Sequence, residues 1–458
     1  MANSNRSEVL GVVVIMRHGD RQGFYQDPSN YVGSQTTLSP LGEQQAYDAG
    51  HFLRARYLEA RSSDRINALA SEQALKLFDQ DSFEVLADNG GEGGVIADSV
   101  TSAFQGMFPP TPNRNITLAN GQFITSPLQG YQYVPVITLD PLKNISLEPW
   151  TDCDIFVKMK KKIKQKRVRL AFNQHIQKVY SSKEFKDIES ENSKFLNSLV
   201  PILGNRIVNF NNMYNIFDYV NVQSIHNSTF LSQVSNTTLA QVRHLANVHE
   251  QGVFTDRELG GIGNLAGRTV LALIFEALNS MTSQSVKKKM TFIGLAYKPF
   301  LSIMNMTQIS LQGLSGMVNY ASLMTFELRA ASTTSQPFVR LSFRNGTAEP
   351  QLTAYPMMGS SSVDYPLVDL YEKLKPALLQ NLSEWCSLCS NSHSRGCELI
   401  VADENNRKDG IWPVGASFLG VVALLALSIG VVYFLWKIIN QRRKKNLRNR
   451  KGLDSDKS

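Results

Sequence analysis

Residues 8–21 read EVLGVVVIMRHGDR. From Glu8 to Met16 the chain is an apolar run with three consecutive valines, the pattern of a strand buried within a sheet. The run ends in Arg17-His18-Gly19-Asp20-Arg21. Ligands of open α/β sheets gather outside the carboxyl ends of strands. One imidazole and two guanidiniums are therefore expected where a substrate would lie. An unprotonated imidazole nitrogen is a competent nucleophile. Phosphoryl transfer asks mainly for placed charge, and arginine offers a planar fork to phosphate oxygens. Gly19 is expected to turn the backbone so that both arginines converge. Asp20 is expected to orient Arg21 or a neighbour. A bare RHG triplet would more often be a turn with surface salt bridges. RHGxR placed directly after a buried strand favours a site.

Outward from this strand, Thr37 to Leu58 reads as a helix. Ser39-Pro40 starts it, and Ala46, Ala49, Gly50, Leu53 and Tyr57 form one stripe. Ile66 to Ser71, Ser82 to Ala87 and Lys289 to Ala296 are expected to be short strands. Ser99 to Met107 is expected to be helical, and polar helical stretches follow between about 170 and 280. Phe338 to Phe343 alternates as a half-buried strand before an Asn345-Gly346 turn. Strands at both ends with helices between them predict an α/β sheet carrying a helical subdomain.

The motif and its surroundings resemble the histidine acid phosphatase branch of the histidine phosphatase superfamily, which includes phosphoglycerate mutase-like proteins. The likeness is to fungal membrane-bound members in particular. RHGDR carries the resemblance, together with LSPLGEQQAYDAG (38–50), DSVTSAFQGMFPP (98–110) and PFVRLSFRNG (337–346), over roughly residues 8–400. It implies a three-layer α/β sandwich around a mixed, mostly parallel sheet with a helical cap at roughly 115–285. It implies His18 as the residue phosphorylated, Arg17 and Arg21 as phosphate ligands, and no metal or organic cofactor. Two departures stand out. A further phosphate-binding arginine expected near Val95 is missing. Where the family has a late His-Asp pair, Tyr297 and Lys298 stand instead. Lysine, with an ordinary pKa near 10.4, is no carboxylic acid, although Lys298 would supply a positive charge near phosphate. Tyr297 and the pair His249-Glu250 are the candidate substitutes.

Ile411 to Trp436 holds no charged residue in 26 positions, long enough to span a hydrocarbon layer of ~30 Å. Eight Lys and Arg follow it between Lys437 and Lys451, which puts the tail 437–458 in the cytoplasm and the body outside or in a lumen. Eight Asn-x-Ser/Thr sequons precede the span: Asn5, Asn115, Asn144, Asn227, Asn236, Asn305, Asn345 and Asn381. All four cysteines, Cys153, Cys386, Cys389 and Cys397, precede it as well. Two disulfides of open connectivity are expected. A zinc site completed by Cys153 or His393 is the alternative. Residues 9–16 are too short for a signal sequence and lack a cleavage site. Translocation is then expected to use the C-terminal anchor or a segment upstream of this chain. A tail-anchored cytosolic domain is the rival topology. The expected order is a phosphatase-like domain (1–397), a stalk (398–410), the span and the tail.

The net charge of +8 is local. Eight basic residues lie in 158–169 and eight in the tail, and removing these sixteen leaves 31 basic against 39 acidic. That balance excludes a whole-surface nucleic-acid binder. The 158–169 run reads as a solvated loop, a polyanion-binding patch, or retained intron sequence. Two functions follow. One is a membrane-anchored acid phosphatase-type phosphomonoesterase with a small phosphorylated substrate. The other is a pseudo-phosphatase that keeps an anion pocket for binding or adhesion. The sequence is silent on oligomeric state, and a mutase-like transfer stands well behind both.

Overall fold

The computed structural model describes residues 7–400, except 24–32, 34–35, 70–76, 91–93, 154–173, 310–313, 315, 331–335 and 394. The chain divides into two units, 1–396 and 397–458. The 158–169 run, the 411–436 span, the tail and Asn5 lie outside the described residues. Among the described residues no helix is long and apolar enough to cross a membrane.

The strands are β1 (Glu8–Arg17), β2 (Phe83–Asp88), β3 (Asn115–Thr117), β4 (Phe123–Thr125), β5 (Ile137–Leu139), β6 (Met290–Leu295), β7 (Leu323–Ala330), β8 (Phe338–Arg344), β9 (Thr353–Tyr355) and β10 (Asp364–Pro366). Eight of them form one sheet in the order β10-β8-β7-β1-β6-β2-β5, with β9 beside β8. β1, β6, β2 and β5 run parallel, whereas β7 pairs antiparallel with β1 and β8. β1 sits mid-sheet, and Val12 to Met16 are fully buried, as the unbroken apolar run requires.

The helices are α1 (Pro40–Tyr57), α2 (Val95–Met107), α3 (Gln174–Ser181), α4 (Lys183–Glu191), α5 (Ser193–Leu203), α6 (Met213–His226), α7 (Ser228–Gln233), α8 (Asn236–Phe254), α9 (Leu265–Met281), α10 (Lys298–Met306), α11 (Leu367–Leu374) and α12 (Leu382–Leu388). Ser39 caps α1 by accepting from the Gly42 amide, with Pro40 in the first turn. α1 and α2 cross one face of the sheet, where Ala46, Leu53, Val100 and Phe104 share a core with Val12 and Val14. α9 packs on β1 and β7. Helices α3 to α8 form the inserted helical region.

Most expected elements stand within a few residues of their places. Ile66–Ser71 does not. Ile66 makes one isolated bridge to Val9, and the chain then turns into a single 3-10 turn at Asn67–Leu69. The Asn-Ala pair after Ile66 breaks the apolar run that a strand there needed. α2 begins at Val95 rather than Ser99, so the position expected to carry an arginine is a buried first-turn valine.

All four cysteines are disulfide-bonded, which removes the zinc alternative. Cys153 pairs with Cys389 across 236 residues. Asn305 is not a free sequon, because its amide nitrogen donates to the Asp256 carbonyl (2.7 Å) and the Asn264 Oδ1 (3.0 Å). A glycan on that nitrogen would cost one of these bonds. Asn115, Asn227, Asn236 and Asn381 are exposed.

Two features of the framework give measurable consequences. Glu327 of β7 is fully buried between Arg56 (3.0 Å) and Arg329, and it also accepts from the Tyr57 hydroxyl (2.7 Å). Glu327→Ala leaves Arg56 and the buried Arg329 to share Asp64 (3.3 and 3.2 Å) as their one remaining carboxylate among the described residues, which is expected to cost about 3 kcal/mol in a denaturant titration. His175 of α3 is buried against the Val253 carbonyl (2.9 Å). Burial holds its pKa below 6.5, and the carbonyl bond offsets this only in part. The folded state therefore keeps His175 neutral while the unfolded chain takes up a proton. This contribution to stability is intact above pH 6.5 and declines as pH falls from there towards the lower folded value. His175→Gln is expected to flatten the acid limb of the melting temperature between pH 7 and 5.

Candidate active site

β1 delivers RHGDR to the sheet's carboxyl edge. His18 N donates to Leu295 O at the end of β6, and Ala321 N donates to His18 O just before β7. Gly19 is required for close approach rather than for a turn. Its φ is not left-handed, but a Cβ there would collide with the Gly42 carbonyl of α1. Its amide donates to Ser99 Oγ (3.0 Å), so both helices of that face fix the loop.

The His18 ring lies 2.8 Å by Nδ1 from its neighbour's carbonyl, Gly19 O. That contact makes Nδ1 the protonated nitrogen and leaves Nε2 as the one able to attack. The ring is 1% exposed and sits 5.6 Å from the Tyr320 ring. Arg17 is held by the Val318 carbonyl and lies 4.4 Å over Tyr320 and 5.4 Å from Tyr297. Its buried Nε has no hydrogen-bond partner among the described residues.

Arg21 differs from expectation. It is fully buried and paired with Asp218 of α6 at 3.0 Å, so its charge is already balanced by a carboxylate from the helical region. Asp20 does not orient Arg21. It binds Ser39 Oγ and His226 Nε2 (2.8 Å) and so ties α6 to the start of α1. Lys298 also departs from expectation. As the first residue of α10 it leaves the sheet edge, and its ammonium lies 4.8 Å over Trp150 and 5.9 Å from Phe254.

Tyr297, His249 and Glu250 come together instead. The Tyr297 hydroxyl donates to Glu250 Oε2 at 2.6 Å, Glu250 Oε1 meets His249 Nδ1 at 2.8 Å, and His249 Nε2 meets the Tyr180 hydroxyl at 3.0 Å. All except Tyr180 are nearly or fully buried. Burial, reinforced by Glu250, raises the pKa of Tyr180 well above its ordinary value.

The sequence reading missed Arg243. It lines, with Arg17, a cavity of about 250 Å³ formed by Gln45 of α1, α6 and the loops before β7 and after β8. Its guanidinium donates to Met317 O (3.0 Å) and Asn319 Oδ1 (2.7 Å). Burial lowers its pKa first, and the like charge of Arg17 lowers it further. Among the described residues no acidic one lines the cavity. Burial also raises the Tyr320 pKa, against the pull of Arg21 and Arg17, so a neutral phenol faces the two cations. Two guanidiniums around one acid-free cavity form an anion site. Arg243→Gln is expected to weaken a phosphate ligand by about 10- to 100-fold, the worth of one charge-assisted hydrogen bond. Calorimetric titration with inorganic phosphate reads it. Arg243 is one arginine among polar helix residues, and only the fold shows that it meets Arg17.

No family model and no curated protein sequence matches the chain. Solved structures do. A Hafnia alvei phytase in complex with tartrate superposes with a TM-score of 0.55 at 12% identity, over 82% of this chain and 98% of the phytase. A Klebsiella sp. ASR1 phytase gives 0.52 at 10% identity, over 84% and 99%. The phytase from D. castellii gives 0.52 at 12%, over 84% and 82%. In fold the chain is similar to these phytases, in agreement with the fold that the RHGDR resemblance implies.

Proposed function

We infer that the chain is a histidine phosphatase-type phosphomonoesterase, tethered to a membrane by 411–436, that takes a small phosphorylated substrate. The observation that carries this reading is the cavity lined by Arg17, the chain neighbour of His18, and by Arg243 and Tyr320, on a fold similar to that of phytases. In this reading the phosphate rests between the two guanidiniums, and Nε2 of His18 attacks phosphorus as the P–O bond to the leaving group breaks. Arg21, already paired with Asp218, holds the site's shape. Tyr297 gives its proton to the departing oxygen, and the Glu250–His249 pair supplies the replacement. Water then attacks the phosphorus of the phosphohistidine as the P–N bond breaks, its proton passes through Tyr297 back to the Glu250–His249 pair, and phosphate leaves with the ring restored. The substrate reaches His18 past Tyr320, which lines the cavity and leans on the His18 ring.

A second reading keeps binding and drops turnover. The 1% exposure of His18 and the Arg21–Asp218 pair favour it. Incubating the full chain with p-nitrophenyl phosphate separates the two. Turnover predicts nitrophenol release and an acid-labile, base-stable phosphoprotein. Phosphate that raises the melting temperature with neither signal would leave only the binding module.

The body is proposed to lie outside the cytoplasm. The even set of disulfide-bonded cysteines and the exposed sequons support this, and the chain is proposed to be a glycoprotein. In sealed vesicles with the cytoplasmic face outward, protection of the tail but not the body from protease would contradict it.

A further inference from the structure

The cavity lined by Arg17 and Arg243 has walls that donate hydrogen bonds and scarcely accept them, because its acceptors are spent inside the wall. Gln45 of α1 holds the Asp20 amide with Oε1 (2.8 Å). A backbone N–H can only donate, so the oxygen of the side chain must face it and the amide nitrogen, Nε2, is left for the cavity that Gln45 lines. Asn345, just after β8, is oriented in the same way. Its Oδ1 accepts from the Asn319 amide (2.8 Å), which leaves Nδ2. Asn319 has neither end to spare. Its Oδ1 takes Arg243 (2.7 Å) and its Nδ2 donates to Asn345 O (3.2 Å).

The loop carbonyls are engaged too. Met317 O accepts from Arg243 (3.0 Å), Val318 O from Arg17, and Thr347 O from Arg344 (2.9 Å). Asn221, Thr347 and Tyr320 can donate or accept, and Phe217 and Ile225 are apolar. Two guanidiniums and two oriented amide nitrogens thus stand against no lining carboxylate among the described residues. An ammonium would bring three donors and a third positive charge to such a wall, with nothing to receive them. A carbonyl or carboxylate oxygen brings lone pairs alone, which suits both amides. The donors also lie near the phosphate position. Gln45 is one hydrogen bond from the RHGDR loop, and Asn345 is joined to Arg243 through Asn319. An oxygen that meets them belongs within a few bonds of the ester.

We propose that Gln45 and Asn345 set the specificity of this site by donating to the alcohol part of the substrate, and that this part carries a hydrogen-free oxygen, carbonyl or carboxylate, close to the ester and not an amine. This rests on the phosphomonoester reading above for the place of the phosphate. Asn345 is also a sequon, but it is half-buried in the cavity wall, and its amide is unmodified in this proposal.

The test titrates the full chain carrying His18→Ala, so that binding is read without turnover, with four esters of similar length: acetonyl phosphate, phosphoglycolate, phosphoethanolamine and n-propyl phosphate. Acetonyl phosphate and phosphoglycolate are expected to bind about 5- to 10-fold tighter than propyl phosphate, the worth of one hydrogen bond. Phosphoethanolamine should bind weaker than propyl phosphate. Whichever of the first two is tighter tells carbonyl from carboxylate. Gln45→Glu keeps an oxygen on the Asp20 amide and replaces the spare nitrogen with a carboxylate oxygen. It should reverse the order, placing phosphoethanolamine above phosphoglycolate, and Asn345→Asp should act in the same sense. Ratios to propyl phosphate within each variant cancel any change in phosphate affinity. If phosphoethanolamine binds the parent as well as phosphoglycolate, or if Gln45→Glu leaves the order intact, the specificity proposal is overturned and the phosphate site stands. A glycan on Asn345, read by peptide mass spectrometry, overturns it equally. If inorganic phosphate and all four esters fail to bind, the anion site itself falls and the proposal with it.

Discussion

His18→Ala should reduce phosphate release to background and abolish the phosphoprotein. The loss should exceed the ~10²–10⁴ that a general acid contributes, because no other group on the loop can form the bond to phosphorus. Asp20 is engaged with Ser39 and His226, and Ser99 Oγ accepts from Gly19. The ring is buried, so the alanine variant needs a check on its fold. Unchanged phosphate binding by calorimetry supplies it, since Arg17 and Arg243 remain. Added imidazole should restore part of the release by occupying the vacated space. Undiminished release from the variant would end the nucleophile assignment, whatever the rest of the site does.

The fold was legible because its strongest signal is local. Three consecutive valines ahead of Arg17 favour a buried strand, and Ser39-Pro40 favours a helix start. The arginines were half legible. Spacing put Arg17 and Arg21 on one loop, but spacing carries no information on who neutralises them. Asp218 lies 197 residues from Arg21 and Arg243 lies 226 from Arg17, and both come from the helical region. Two same-sign charges four residues apart in sequence thus part ways, one into a buried ion pair and one to the cavity. The substitution at 297–298 was visible, but its outcome was not. Lys298 begins a helix whose first turn points away from the sheet edge, whereas Tyr297, one residue earlier, still faces Arg17. In the sequence His249-Glu250 is only a candidate substitute pair, and in the fold both residues are buried. What sequence could not show is that they pack under Tyr297.

That arrangement leads to the sharpest test of the chemistry. Tyr297→Phe keeps the ring over Arg17 and deletes only the hydroxyl bonded to Glu250. If this hydroxyl protonates the leaving oxygen, its loss should depend on the leaving group. Release from an alkyl phosphate, whose alkoxide needs the proton, should fall ~10²–10⁴-fold. Release from p-nitrophenyl phosphate, whose phenolate leaves unaided, should change little. A purely structural tyrosine would lower both equally, since a distorted site discriminates neither. Glu250→Gln should follow the same pattern, because a neutral amide still accepts the Tyr297 bond but cannot carry a proton to it. Parallel losses on the two substrates in both variants would assign the buried chain to packing and leave the departing oxygen to be protonated by water.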